Sequence, residues 1–156
     1  MQVFIIGSPF ETAKALDKLR LNKQIIECKQ ILRALNGDKA WSNHPCTLQY
    51  KDHRLWLFHY LQTLIYYYSE YLKATDIGSQ DRFLLKARLF NRWSLDYTPP
   101  FHTKKYYDQM KRRLYTKDPK FYSDWSYLGT SEINWYFVDG QWKYYQNGKQ
   151  IKALIL

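Results

Sequence analysis

Cysteine is scarce in this chain: Cys28 and Cys46 are the two thiols in 156 residues. Their placement suggests neither a disulfide scaffold nor a Cys/His zinc site. Long apolar runs are missing too. No stretch approaches the roughly 18 residues that a bilayer crossing needs, so no membrane span is expected. The opening Met-Gln-Val-Phe-Ile-Ile-Gly lacks the basic start and long apolar stretch of a signal peptide, which makes the cytoplasm the expected compartment. The six glycines form no phosphate-cradling loop, and no Gly-x-Ser-x-Gly elbow occurs. His44, His53, His59 and His102 show no metal-ligand spacing with nearby carboxylates, so no metal and no cofactor are expected. Acidic residues are the minority charge, 14 against 24 Lys and Arg.

That imbalance leaves a formal net charge of +10. So large an excess favours a polyanionic partner, with an anionic membrane surface or simple solubility as rival uses. Aromatic residues make up 19% of the chain, and 15 of them are tyrosines. Flat rings with one polar tip stack on unpaired bases, and they also pack helices. Most are expected in the core. Charge and rings together point to nucleic acid rather than to a membrane, and double-stranded DNA is the partner expected.

Local patterning predicts a mainly α fold: a compact helical bundle with a short N-terminal extended segment and a small C-terminal β-meander. Val3 to Ile6 read as a short strand or buried arm. Ser8, Pro9 and Glu11 form a helix-start signature, predicting a first helix from Pro9 to Leu19. Leu21, Ile25, Cys28, Leu32 and Leu35 recur at helical steps up to Asn36-Gly37. Trp41-Ser42-Asn43-His44-Pro45 is a turn that opens another helix. Further helices are predicted from Leu55 to Leu72, Gln80 to Trp93 and Thr103 to Tyr115, and His53 and His59 are expected within a long amphipathic helix that includes the first of these. In the tail, Asn134 to Val138, Trp142 to Gln146 and Gln150 to Leu154 are strand-like runs. Asp139-Gly140 and Asn147-Gly148 separate them as hairpin turns. One domain over 1–156 is expected, with a helical body over 1–122 and a β tail over 123–156.

Chemistry-bearing residues gather on the second helix. Arg20, Lys23, Gln24 and Glu27 share a face beside the apolar stripe. Either Lys23 and Glu27 pair on a solvated surface, or Glu27 lies in a basic groove that draws phosphates to Arg20 and Lys23, with Arg20, Lys23 and Gln24 as candidate DNA contacts. Asn43 and His44 precede a helix start, where they cap it or meet a phosphate. The Thr103 to Tyr115 helix supplies Lys111 and Arg112 as further candidate DNA contacts.

These residues resemble a known family. Leu16-Asp17, Arg20-Leu21, Lys23-Gln24 and Glu27, then Gln30 to Leu35, then Trp41 with Asn43-His44-Pro45, look like the pyrimidine-dimer DNA glycosylase (endonuclease V) family. The likeness is closest to its uncharacterised bacterial and phage branch. That branch is similar also in Met1, Gln2, Phe4 and Pro9, in Pro99-Pro100, and in Lys117-Asp118-Pro119 with Tyr122, so the resemblance spans about 1–122. The family's aromatic tail motif looks like Trp142-Lys143-Tyr144-Tyr145, or equally like Phe121-Tyr122 and Trp125.

The resemblance implies a compact helical enzyme that removes the base of a pyrimidine dimer and nicks the strand. It implies an N-terminal α-amine as nucleophile and Glu27 as the essential carboxylate. Gln2 is large, so the amine expected here is that of a retained Met1. A terminal amine suits the task, because such groups are less basic than lysine and partly neutral near physiological pH. Ile26 and Gln30 stand where the founding enzyme carries arginines, and Met110-Lys111 stand where some relatives carry His-Arg. Those departures motivate an alternative, a non-catalytic DNA-binding module on the same scaffold. A glycosylase for a modified base is a third option.

Overall fold

The computed structural model describes residues 1–72, 78, 81 and 97–152. The helix expected from Gln80 to Trp93, with Arg82, Lys86, Arg88 and Arg92, falls almost wholly outside the described residues.

Helix α1 (Pro9–Ala15) begins where the sequence places it. Ser8 Oγ accepts the Glu11 backbone N–H at 3.1 Å, and Pro9 fills the first turn, where no N–H is needed. The Glu11 carboxylate accepts from the Ser8 hydroxyl at 3.1 Å. The helix ends four residues earlier than the predicted Leu19. Leu16 turns extended, which sends its side chain into the core, and Asp17 becomes the N-cap of α2 (Lys18–Leu35). The Asp17 carboxylate does not cap α2. It accepts from Arg20 at 3.1 Å and from the Tyr122 hydroxyl, while its own N–H donates to Tyr122 Oη at 3.0 Å.

Helix α2 stops at Asn36 and at Gly37, whose φ of 108° suits a residue without Cβ. Pro45 opens the short α3 (Pro45–Gln49), and α4 (Arg54–Glu70) follows. His53 is the N-cap residue of α4 rather than an interior position. Helix α5 (Lys104–Lys117) begins at Thr103, whose side chain accepts from the Tyr106 N–H, and a 3₁₀ turn covers Ser123–Leu128.

Strands β1 (Asn134–Val138), β2 (Gln141–Gln146) and β3 (Lys149–Ile151) form an antiparallel meander in that order. Asp139 and Gly140 have φ of 53° and 76°, and Asn147 and Gly148 have 52° and 76°. Two consecutive positive φ values match the twist of a two-residue hairpin, which is why Asx-Gly occupies both turns. The third strand is shorter than the predicted Gln150 to Leu154, and 153–156 lie outside the described residues.

Helix α4 is the centre of the helical layer, with α1 and α2 both packed on it. Leu57, Tyr60, Leu61, Leu64 and Ile65 of α4 are buried against Leu21, Ile25, Cys28 and Ile31 of α2. Leu32 and Leu35, predicted on that stripe, are only half-buried, because the stripe drifts to Ile31 at 3.6 residues per turn. Cys28 and Cys46 are buried free thiols. Strand β1 rests on α3 and α5, which ties the meander to the helices. No described helix is long and apolar enough to cross a membrane.

The first five residues are a buried arm rather than a strand, with Val3 and Ile5 fully buried. A buried arm outside any sheet must find hydrogen-bond partners elsewhere. Side chains supply them, and those side chains position the site.

Candidate active-site cleft

Gln24 takes the part of a missing neighbouring strand. Its Oε1 accepts the Phe4 N–H at 3.0 Å, and its Nε2 donates to Gln2 O at 2.7 Å. The same Nε2 donates to Glu27 Oε2 at 3.1 Å, and Oε1 also accepts from the Tyr60 hydroxyl at 3.2 Å. Two donors and two lone pairs are thus all engaged within the protein. Gln24, expected among the DNA contacts, is 1% exposed and works as a clasp between the arm and Glu27.

Gln2 is anchored as firmly. Its Nε2 donates to Tyr106 Oη at 3.4 Å and to Trp135 O at 3.3 Å. The Tyr136 hydroxyl donates to the Met1 carbonyl at 2.6 Å. With residue 2 pinned from α5 and β1, the Met1 residue projects into a cleft of about 160 Å³. Glu27, Gln24, Arg20, Lys23 and Leu19 of α2 line it, with Gln2 and Phe4 of the arm, Arg113 and Lys117 of α5, and Asn134 of β1.

Glu27 is the one carboxylate among those residues, facing four cations. Burial pushes its carboxyl above the ordinary range. The N-terminal ammonium, the Gln2 backbone N–H, Lys23 and Lys117 pull the other way without cancelling that effect. The Gln2 N–H reaches Glu27 Oε2 at 3.5 Å, a long and weak contact. A half-buried carboxyl of this kind holds a proton nearer neutrality, which suits an acid that must also act as a base. Lys23 is exposed and acts on Glu27 as a nearby charge. Arg20 lines the cleft but is tied to Asp17 at 3.1 Å and approaches Asp118 at 3.9 Å.

The two cations expected from α5 point elsewhere. Lys111 lies over the Trp125 ring at 5.7 Å, and Arg112 Nε donates to Leu128 O at 2.9 Å. Arg113 and Lys117 face the cleft in their stead. Residues 106, 110, 113 and 117 follow one helical row, and Tyr106 and Met110 of that row are fully buried. The sequence shows the charges at 111 and 112 but not which row of α5 docks toward the arm. Burial and the cations Arg113, Lys23 and Arg20 lower the Lys117 pKa, which reflects how closely the four charges gather.

His44 is the N-cap of α3, its Nδ1 accepting the Cys46 N–H at 3.1 Å. In the neutral ring the proton therefore sits on Nε2. Burial and the N-terminal ammonium lower its pKa, so the ring lies within electrostatic reach of Met1. Its ring meets Tyr136 edge-on, with centroids 5.8 Å apart. Asn43 is exposed on the same turn and does not line the cleft. Asn134 and Tyr136 were not anticipated, since only the register of β1 beside α3 brings them to the arm. Among the described residues no group of His, Cys, Asp and Glu is arranged to hold a metal ion.

No curated protein and no solved structure matches the chain. The model of one family does, described as pyrimidine dimer DNA glycosylase, over residues 1–71. This is shorter than the span of about 1–122 read from motifs, so Arg113, Lys117, Asn134 and Tyr136 lie beyond it. Over residues 1–71, which carry the arm, the Gln24 clasp, Glu27 and His44, the chain is similar to the pyrimidine dimer DNA glycosylase family.

Proposed function

We propose that the chain is a DNA glycosylase with lyase activity that uses the Met1 α-amine as nucleophile and Glu27 as acid and base. The observation that carries this is the cleft: Met1 and a single raised-pKa carboxylate share it with four cations. The family match over residues 1–71 supports a repair glycosylase in general terms. The dimer or modified base that is removed, and the lyase step, are inferred from the chemistry below.

Phosphates are held by Lys23, Arg113 and Lys117, with Arg20 shared between the strand and Asp17. The amine attacks C1′ of the deoxyribose as the C1′–base bond breaks. The departing base takes up a proton, and the opened sugar becomes an imine on the Met1 nitrogen. Glu27 protonates the ring oxygen as the sugar opens and then supports the cationic imine. Loss of the C2′ proton expels the 3′ phosphate and nicks the strand. Damaged bases leave the stack at lower cost, by up to a few kcal/mol, which favours lesions over intact pairs.

Borohydride reduction tests this, because it converts the imine into a stable protein–DNA bond. Incubation with an abasic or dimer-containing duplex is expected to give a covalent adduct and a nicked strand. Intact DNA with no adduct would leave the alternative, a non-catalytic DNA-binding module.

A further inference from the structure

Three non-glycine residues among those described have positive φ. Asp139 and Asn147 are explained by their hairpin turns. Trp41, with φ of 64°, is not. Left-handed backbone is unfavourable for a bulky side chain and persists only where its surroundings enforce it. The turn enforces it: the Trp41 carbonyl accepts the His44 N–H at 3.1 Å, and the Ser42 N–H donates to Lys39 O at 3.3 Å. The result is an indole held 49% exposed, although burial would be its favoured state.

The ring is fixed from one side. It meets His44 edge-on with centroids 5.6 Å apart, and His44 meets Tyr136 at 5.8 Å. Tyr136 in turn holds the Met1 carbonyl at 2.6 Å. A rigid file of rings therefore runs from the N-terminal residue to an open indole. Strain, exposure and connection to Met1 are separate observations that meet in this one residue.

We propose that Trp41 is a stacking platform for a nucleobase that has left the duplex beside the cleft. This rests on the reading of the chain as a DNA-acting protein. An aromatic face accepts any base, because every base has a π-face. Trp41 would thus favour DNA whose pairing is already broken.

The test compares the wild type with Trp41→Gly and Trp41→Phe on a short duplex with one abasic site and on the same duplex intact. Glycine accepts the left-handed backbone, so the variant keeps the turn and its thermal midpoint should not fall. Binding of Trp41→Gly to the abasic duplex is expected to weaken about tenfold, with little change on the intact duplex, and Trp41→Phe should retain most of the preference. Equal loss on both duplexes, no loss on either, or a destabilised glycine variant would overturn the platform while leaving the glycosylase reading in place. A wild type that binds neither duplex would remove that reading first, and the platform with it.

Discussion

Gln24 donates to Glu27 Oε2 at 3.1 Å with the same nitrogen that holds the Gln2 carbonyl at 2.7 Å. One buried amide therefore fixes both the carboxylate and the peptide next to Met1. Replacing Gln24 with Ala leaves the Phe4 N–H and the Gln2 carbonyl without partners inside the core. The expected loss is about 2–4 kcal/mol in urea unfolding, with adduct formation falling as well. A loss below about 0.5 kcal/mol, typical of a surface site, would show that the arm is held by other means.

Glu27 carries a sign that can be checked. Its folded pKa is raised, so folding is favoured when it is protonated, and that contribution disappears as pH rises through the folded value. At neutral pH the ionised carboxylate is thus a burden on stability. Glu27→Gln keeps an acceptor for Gln24 and Gln2 but removes the charge. The variant should be more stable than the wild type at neutral pH, with the difference shrinking as pH falls, and inactive in trapping. A variant less stable at neutral pH would mean that the neighbouring cations outweigh burial.

Lys117 and Lys111 separate the cleft from general surface charge. Lys117 lines the cleft, whereas Lys111 sits over Trp125. Lys117→Gln should weaken DNA binding and reduce the slope of log affinity against log salt by about 1. Lys111→Gln should change the slope much less. Equal effects would argue that the whole basic surface, rather than this cleft, meets the phosphates.

His102 predicts acid sensitivity. It is 8% exposed, its Nε2 lies 2.8 Å from the Tyr50 hydroxyl, and burial lowers its pKa to about 3. An unfolded histidine takes up a proton near pH 6.5 and the folded one does not. Its stabilising contribution is therefore present above about pH 6.5 and declines as pH falls towards about 3, by roughly 1.4 kcal/mol per pH unit. His102→Gln should flatten the stability curve in that window. An unchanged slope would assign the acid sensitivity to other groups.

Much of this was legible in the chain itself. Asp139-Gly140 and Asn147-Gly148 announced both hairpins because positive φ selects few residue types. Ser8-Pro9 and Pro45 announced helix starts for another local reason, a capping side chain or a proline that needs no N–H partner in the first turn. Helical geometry put Glu27 on one face of α2 with Arg20 and Lys23, and the family resemblance alone implied an essential carboxylate there. The break at Leu16 was not legible, since it depends on Leu16 reaching the core and on Tyr122 gripping Asp17 across 105 positions. Gln24 looked like a surface amide for a related reason: nothing near it in sequence shows that the arm will pack alongside. Arg113, Lys117 and Asn134 needed the docking of α5 and β1, which only tertiary structure supplies.

The most direct measurement is to digest the borohydride-trapped complex and locate the sugar by mass spectrometry. The expected result is a single adduct on the Met1 α-amine, lost when that amine is acetylated beforehand. An adduct on a lysine side chain such as Lys23 or Lys117, or an undiminished yield after acetylation, would contradict the role given to the N-terminus.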